Sequence, residues 1–124
     1  MRVPVAEWVI LSGQTGRDSD GVIPQGSGMA DQAKRAFENI RDLLDAAGSS
    51  LESVVKLTYY VTEMSLWQSV ADARDSFFPG DKPASTTVEV SRLHDPAALI
   101  EIDAIAIATD ATTHEVLMSA TTGG

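Results

Sequence analysis

The run Val54-Val55-Lys56-Leu57-Thr58-Tyr59-Tyr60-Val61-Thr62 (VVKLTYYVT, residues 54–62) alternates with a period of two, and it decides the fold. Successive side chains of a strand point to opposite faces, so Val55, Leu57, Tyr59 and Val61 share one face while Lys56, Thr58, Tyr60 and Thr62 share the other. On the upstream side the period changes. From Ala33 the apolar residues Ala33, Ala36, Phe37, Ile40, Leu43, Leu44 and Ala47 recur every 3.6 residues, with Lys34, Arg35, Glu38, Arg41, Asp42 and Asp45 opposite. This is a one-sided helix stopped by Gly48. On the downstream side a second helix is expected from Ser65, capped by its hydroxyl with Gln68 reciprocating. Its stripe is Leu66, Val70, Ala73 and Phe77, and Phe78-Pro79-Gly80 closes it.

Further out lie two more alternating segments, Thr86 to Ser91 and Leu99 to Ala108, joined by a turn around His94-Asp95-Pro96. At the other end, Val3 to Ala6 and Trp8 to Leu11 read as short strands joined by a tight turn at Glu7, and Ser12 to Gly16 ends the second. Arg17 to Gly28 is rich in Asp, Gly, Pro and Ser and reads as loop, with a candidate short strand at Val22-Ile23. The element order ββ, α, β, α, ββ predicts an α/β (α+β) chain, a mixed sheet with two helices on one face. One domain is expected over 1–108, followed by a polar tail over 109–124 with a candidate strand at Glu115 to Met118.

The two sheet faces are expected to differ. Val88 and Val90, with Ile100, Ile102, Ala104 and Ala106, are assigned to the helix side. The opposite side carries Lys56, Thr58, Tyr60, Thr87, Glu89, Glu101 and Asp103, together with Ile105 and Ile107. A half-apolar face of this kind belongs in a subunit contact.

A formal net charge of −9 over 124 residues, with Lys and Arg scattered, argues against nucleic acid and anionic membranes as partners and for a small molecule. The absence of cysteine removes disulfides, thiolate catalysis and zinc–thiolate sites. No apolar run approaches the ~20 residues of a membrane span, and the expected location is cytoplasmic. His94 and His114 are far apart, so no metal site is expected and no cofactor is implied. Ser12-Gly13-Gln14-Thr15-Gly16 lacks the lysine and the following helix of a phosphate loop. Ser85-Thr86-Thr87 fits either plain β-propensity or a hydroxyl-lined pocket. Lys56 is expected to pair with Glu101, and Arg92 either pairs with Glu89 or Glu101 or supplies a cation to a site. Trp67 fits either a cleft wall or partial core, and the core is the assignment preferred.

Several blocks, in order, resemble the RidA (YjgF/YER057c/UK114) family: Ile10-Leu11-Ser12-Gly13-Gln14, Asn39-Ile40 through Ala46 to Leu51, Val54 to Thr58, Phe77-Phe78, Pro83-Ala84, Val88-Glu89-Val90 and Ile100 to Ala106. The resemblance covers about Val9 to Ala108. It implies a chorismate-mutase-like RidA fold assembled as a homotrimer, with an inner barrel of sheets and small-molecule clefts between subunits. Members hydrolyse reactive enamines and imines, such as 2-aminoacrylate, to a keto acid and ammonia.

Carried onto this chain, the family's substrate-gripping arginine falls on Ser85, its cysteine on Thr87 and its cleft asparagine on Ala71. The glutamate that positions water falls on Asp103, and Ser12 is retained. The Gly-Pro-Tyr segment has no counterpart before Val3. A hydroxyl cannot replace a guanidinium's two parallel charge-assisted bonds to a carboxylate, so the resemblance implies a divergent member whose substrate is not 2-aminoacrylate. The expected site is Asp103 as catalytic carboxylate, with Ser12, Ser85, Thr87, Ala71 and Arg92 contacting substrate. Two functions stay open: an enamine or imine deaminase, and a non-catalytic trimer that binds a small metabolite or a pathway partner.

Overall fold

A computed structural model describes residues 7–108. Four strands, β1 (Trp8–Gln14), β2 (Val54–Val61), β3 (Ala84–Glu89) and β4 (Ile100–Ile107), form one sheet in the order β1-β4-β2-β3. Both pairings of β4 are antiparallel, whereas β2 and β3 run parallel and are linked through helix α2 (Trp67–Phe77). The sheet is therefore mixed, with α2 and the longer α1 (Met29–Ala46) supplying the helical layer. The segments expected at Val3 to Ala6 and Glu115 to Met118 lie outside the described residues.

Alternation in β4, and in β2 from Lys56 onward, produces the core; an irregularity between Val54 and Lys56 buries Val54 where Val55 was expected. Register pairs Leu57 with Ala104, Tyr59 with Ile102 and Val61 with Ile100, and all six are buried beneath the helices. Phe37 of α1 centres this layer, its ring 5.4 Å from Phe77, 5.8 Å from Phe78 and 6.2 Å from Tyr59. Trp67 is partly buried and meets Tyr59 edge-to-face at 5.0 Å, in keeping with its assignment to the core. Helix α1 ends where expected: Gly48 adopts φ +74, a left-handed conformation that a side chain would disfavour.

Local chemistry moved several boundaries. Helix α1 starts a turn before Ala33 because Met29 packs into the core and Gln32 is buried with its amide satisfied. Gln32 donates to the carbonyls of Ser27 and Ala97 at 3.1 Å each and accepts from the Leu99 N–H at 2.8 Å. No strand forms at Val22-Ile23; the Asp18 carboxylate accepts from the Asp20 and Val22 N–H groups and holds a turn that buries Ile23. The Glu7 carbonyl accepts from the Ala108 N–H at 2.8 Å, extending the β1–β4 pairing where a tight turn was expected.

Ser65 does not cap α2. A 3₁₀ turn, Met64–Leu66, precedes the helix, the Glu89 carboxylate accepts from the Met64 N–H at 2.8 Å, and Gln68 bonds to Asp72 instead. Leu66 accordingly falls outside the helix and is exposed, Trp67 taking its place against the core. The segments before and after the His94-Asp95-Pro96 turn are not neighbours, since β2 lies between β3 and β4.

The largest correction concerns β3. Parallel register pairs Leu57 with Ser85, Tyr59 with Thr87 and Val61 with Glu89, so those three side chains take the helix-side parity. Val88, paired with Tyr60, takes the other side and is 39% exposed; Val90 lies beyond the end of the strand. Apolar spacing misled here because β3 is an edge strand with most of its side chains exposed on both faces.

Candidate functional site

On the face away from the helices, β1, β4 and β2 bring together a polar row inside an apolar border. Just beyond the Leu11–Ala104 pair, Ser12 and Asp103 follow on adjacent antiparallel strands. Asp103 is opposite Thr58, and Glu101 is opposite Tyr60. A bulge in β1 begins here, since Leu11 pairs with Ala104 but Gln14 with Ile102, leaving one extra residue on β1. Gly13 sits in that bulge. A side chain at position 13 would collide with the Glu101 carboxylate, so the glycine leaves room for Glu101 to lie against the strand beside Ser12.

Neither Asp103 nor Glu101 belongs to an ion pair among the described residues. Lys56 does not pair with Glu101; its Nζ donates to Thr86 Oγ1 at 2.6 Å. The negative charge of Asp103 is the main reason the Tyr60 phenol is held above its ordinary range, with desolvation and Glu101 adding to it. Tyr60 thus stays a neutral hydrogen-bond donor between two carboxylates. The sequence offered Glu101 on this face only as a partner for Lys56 or Arg92; the bulge at Gly13 adds it to the candidate row.

Around this row lie Ile10 at 73% exposure, Trp8 at 52% and Val88 at 39%, with half-buried Ile105 and Ile107. Trp8, Ile10 and Val88 enlarge the apolar face expected from Ile105 and Ile107.

The remaining expected residues occupy the other side of the sheet. Ser85 is exposed and donates to the Pro83 carbonyl at 3.2 Å, Thr87 is half-buried beside Tyr59, and Ala71 is buried in α2. Burial pushes the Tyr59 phenol up to about 12, against the opposing influence of Arg74 and Ser85. Its hydroxyl is buried and has no hydrogen-bond partner among the described residues, the Ser85 hydroxyl donating to Pro83 instead. Arg92 is exposed in the segment after β3 and has no ion pair with Glu89 or Glu101 among the described residues; Glu89 instead binds the Met64 N–H. The sheet itself therefore separates Ser12, Glu101 and Asp103 from Ser85, Thr87 and Ala71 within one chain.

Ser12 also rims a hollow of about 490 Å³ where the loop after β1 meets α1. Among the described residues, no group of three or more His, Cys, Asp or Glu could hold a metal ion, and no helix is long and apolar enough to cross a membrane.

Residues 2–108 match the family described as Endoribonuclease L-PSP. A RutC family protein of Pyrococcus abyssi is 37% identical over 105 residues, covering 84% of this chain and 81% of that protein. The 2-iminobutanoate/2-iminopropanoate deaminase of Homo sapiens is 34% identical over 106 residues, covering 85% of this chain and 76% of the enzyme. The crystal structure of RidA from Psychrobacter sp. PAMC 21119 superposes with a TM-score of 0.77 at 31% identity, over 85% of this chain and 84% of that one. Alike in sequence and in fold over nearly all its described length, the chain belongs to the endoribonuclease L-PSP family, that is, the YjgF/RidA family.

Proposed function

We propose that this protein is an imine or enamine deaminase whose site is completed between neighbouring chains of a trimer. The observation that carries the proposal is the pair of carboxylates, Asp103 and Glu101, outside any ion pair among the described residues and flanking Tyr60 on an outward sheet face beside Ser12. Relatives named as imine deaminases, about 34% identical, support the reaction class. An apolar border that one chain leaves open supports the assembly.

The chemistry asks little of the protein. A protonated imine is already an electrophile, so a water held by the carboxylate pair adds to the C=N carbon while a carboxylate takes its proton. Return of that proton to nitrogen and cleavage of the C–N bond give a carbonyl product and ammonium. Ser12 and the neutral Tyr60 hydroxyl are hydrogen-bonding groups available to steer water or nitrogen. In the trimer, the Ser85–Thr87 edge of one chain, with Ala71 behind it and Arg92 after it, closes over the carboxylate row of the next.

Ser85 sets the substrate. Lacking a guanidinium there, the protein is expected to work poorly on imines whose carboxylate is attached directly to the reacting carbon. Imines generated in situ by an amino-acid oxidase, with ammonia release as readout, provide the test. Ser85→Arg should raise kcat/KM on these 2-imino acids by about tenfold or more, as charge-assisted hydrogen bonds to the carboxylate are restored. Rapid turnover by the native protein with no gain in Ser85→Arg would remove Ser85 from its assigned role. Failure to accelerate hydrolysis of any imine would remove the deaminase reading itself.

A further inference from the structure

We infer that Arg17 binds an anionic group of the ligand, a carboxylate remote from the reacting carbon, in the hollow rimmed by Ser12. This rests on the deaminase reading for what the ligand is, but not for the anion site. The hollow, at about 490 Å³, falls in the range of small-molecule pockets. Its walls are built around one guanidinium. Asn39 of α1 donates to the carbonyls of Thr15 and Arg17 at 3.0 and 2.9 Å, which ties the backbone of the loop to the helix. Gln14, buried, donates to the Ser12 carbonyl at 2.9 Å and offers its Oε1 to Arg17 Nη2 at 3.4 Å, a long contact that leaves the other guanidinium N–H groups available.

The two acids lining the same hollow are already engaged. Asp18 accepts from the Asp20 and Val22 N–H groups, and Asp42 accepts from Arg41 Nε at 3.3 Å. Arg17 itself forms no ion pair among the described residues. Several other cations are committed elsewhere, Arg74 and Lys82 to Asp75 and Lys56 to Thr86, while Lys34 and Arg35 line a different hollow. Arg92 has no hydrogen bond anchoring its side chain among the described residues and lines none of the hollows beside Ser12. An exposed, planar guanidinium with free N–H groups at the rim of a small concavity next to Ser12 is suited to a carboxylate. Arg17 follows β1 and Ser85 lies on β3, the opposite edges of the sheet, so an anion held by Arg17 takes a position distinct from the one that a 2-imino acid's carboxylate would take at Ser85.

The probe is 4-oxopentanoate, a keto acid with its carboxylate away from the carbonyl, titrated by calorimetry or NMR against its methyl ester and against 2-oxobutanoate. The native trimer should bind 4-oxopentanoate about tenfold tighter than either, and less so as salt is raised. Arg17→Gln should abolish the preference over the ester while leaving ester binding unchanged, and Arg17→Lys should restore part of it. Equal binding of acid and ester by the native protein, or an undiminished preference in Arg17→Gln, overturns the inference. An Arg17-dependent preference in a protein that hydrolyses no imine would sustain the anion site and defeat the deaminase reading, so the two fail separately.

Discussion

Ile105→Asp is expected to convert a particle of three chains into single chains that remain folded. Ile105 pairs with Ile10 on one side and Lys56 on the other, at the centre of the outward face. In an isolated chain an aspartate there would meet water and the Lys56 ammonium, so the fold has little reason to fail. In a trimer, three carboxylates would be buried near one axis, each with a desolvation penalty of several kcal/mol and without a full set of partners. Ile10→Asp should act the same way, because the 73% exposure of Ile10 in the single chain is the surface the assembly would cover. Val22→Asp, in an exposed loop, should leave the mass at three chains. Light scattering reads all three. A native mass of one chain would remove both the interface and the shared site.

Removing both carboxylates, Glu101→Gln with Asp103→Asn, should lower imine hydrolysis by at least about a hundredfold, the lower range for loss of a positioned general base. Glu101→Gln alone should be the more damaging single change, since Glu101 is the carboxylate set against Gly13 beside Ser12. Losses in the singles should not add to the loss in the double, because the two act on one water. Both side chains are half-buried and outside any ion pair among the described residues, so the melting temperature should move by no more than about 3 °C. An independent sign accompanies the kinetics. Because the charge of Asp103 is the main cause of Tyr60's raised pKa, Asp103→Asn should lower the tyrosine titration in that range. Native turnover in the double variant would return both carboxylates to a structural role.

The central strands were legible because each has one covered and one open face, which turns burial into alternation: Leu57, Tyr59 and Val61 against Thr58 and Tyr60, and Ile100 to Ala106 likewise. Edge strand β3 carried no such constraint. Val88 and Val90 looked like core, but the parallel register with β2 turned Ser85, Thr87 and Glu89 to the helix side. Where helix ends depend on remote partners, as for Gln32 with Leu99 and Met64 with Glu89, a local pattern has nothing to report. Within the site, Ser12 and Asp103 could be named from their blocks, whereas Glu101, offered by the sequence only as an ion-pair partner, joined the row through the bulge at Gly13. The division of the expected residues between two faces follows from strand parity in three dimensions, and the proposal of a site shared between chains rests on it.

Complementation between two inactive variants tests the shared site most directly. Chains carrying Glu101→Gln and Asp103→Asn lack the acid face; chains carrying Ser85→Trp have the opposite edge blocked. Each alone should be inactive as a trimer. Unfolded together and refolded as a one-to-one mixture, they should regain roughly a quarter of native activity, because about that fraction of clefts would pair an intact acid face with an intact edge. A mixture no more active than its separately refolded parents, or a Ser85→Trp protein with full activity, would contradict a site built from opposite faces of neighbouring chains.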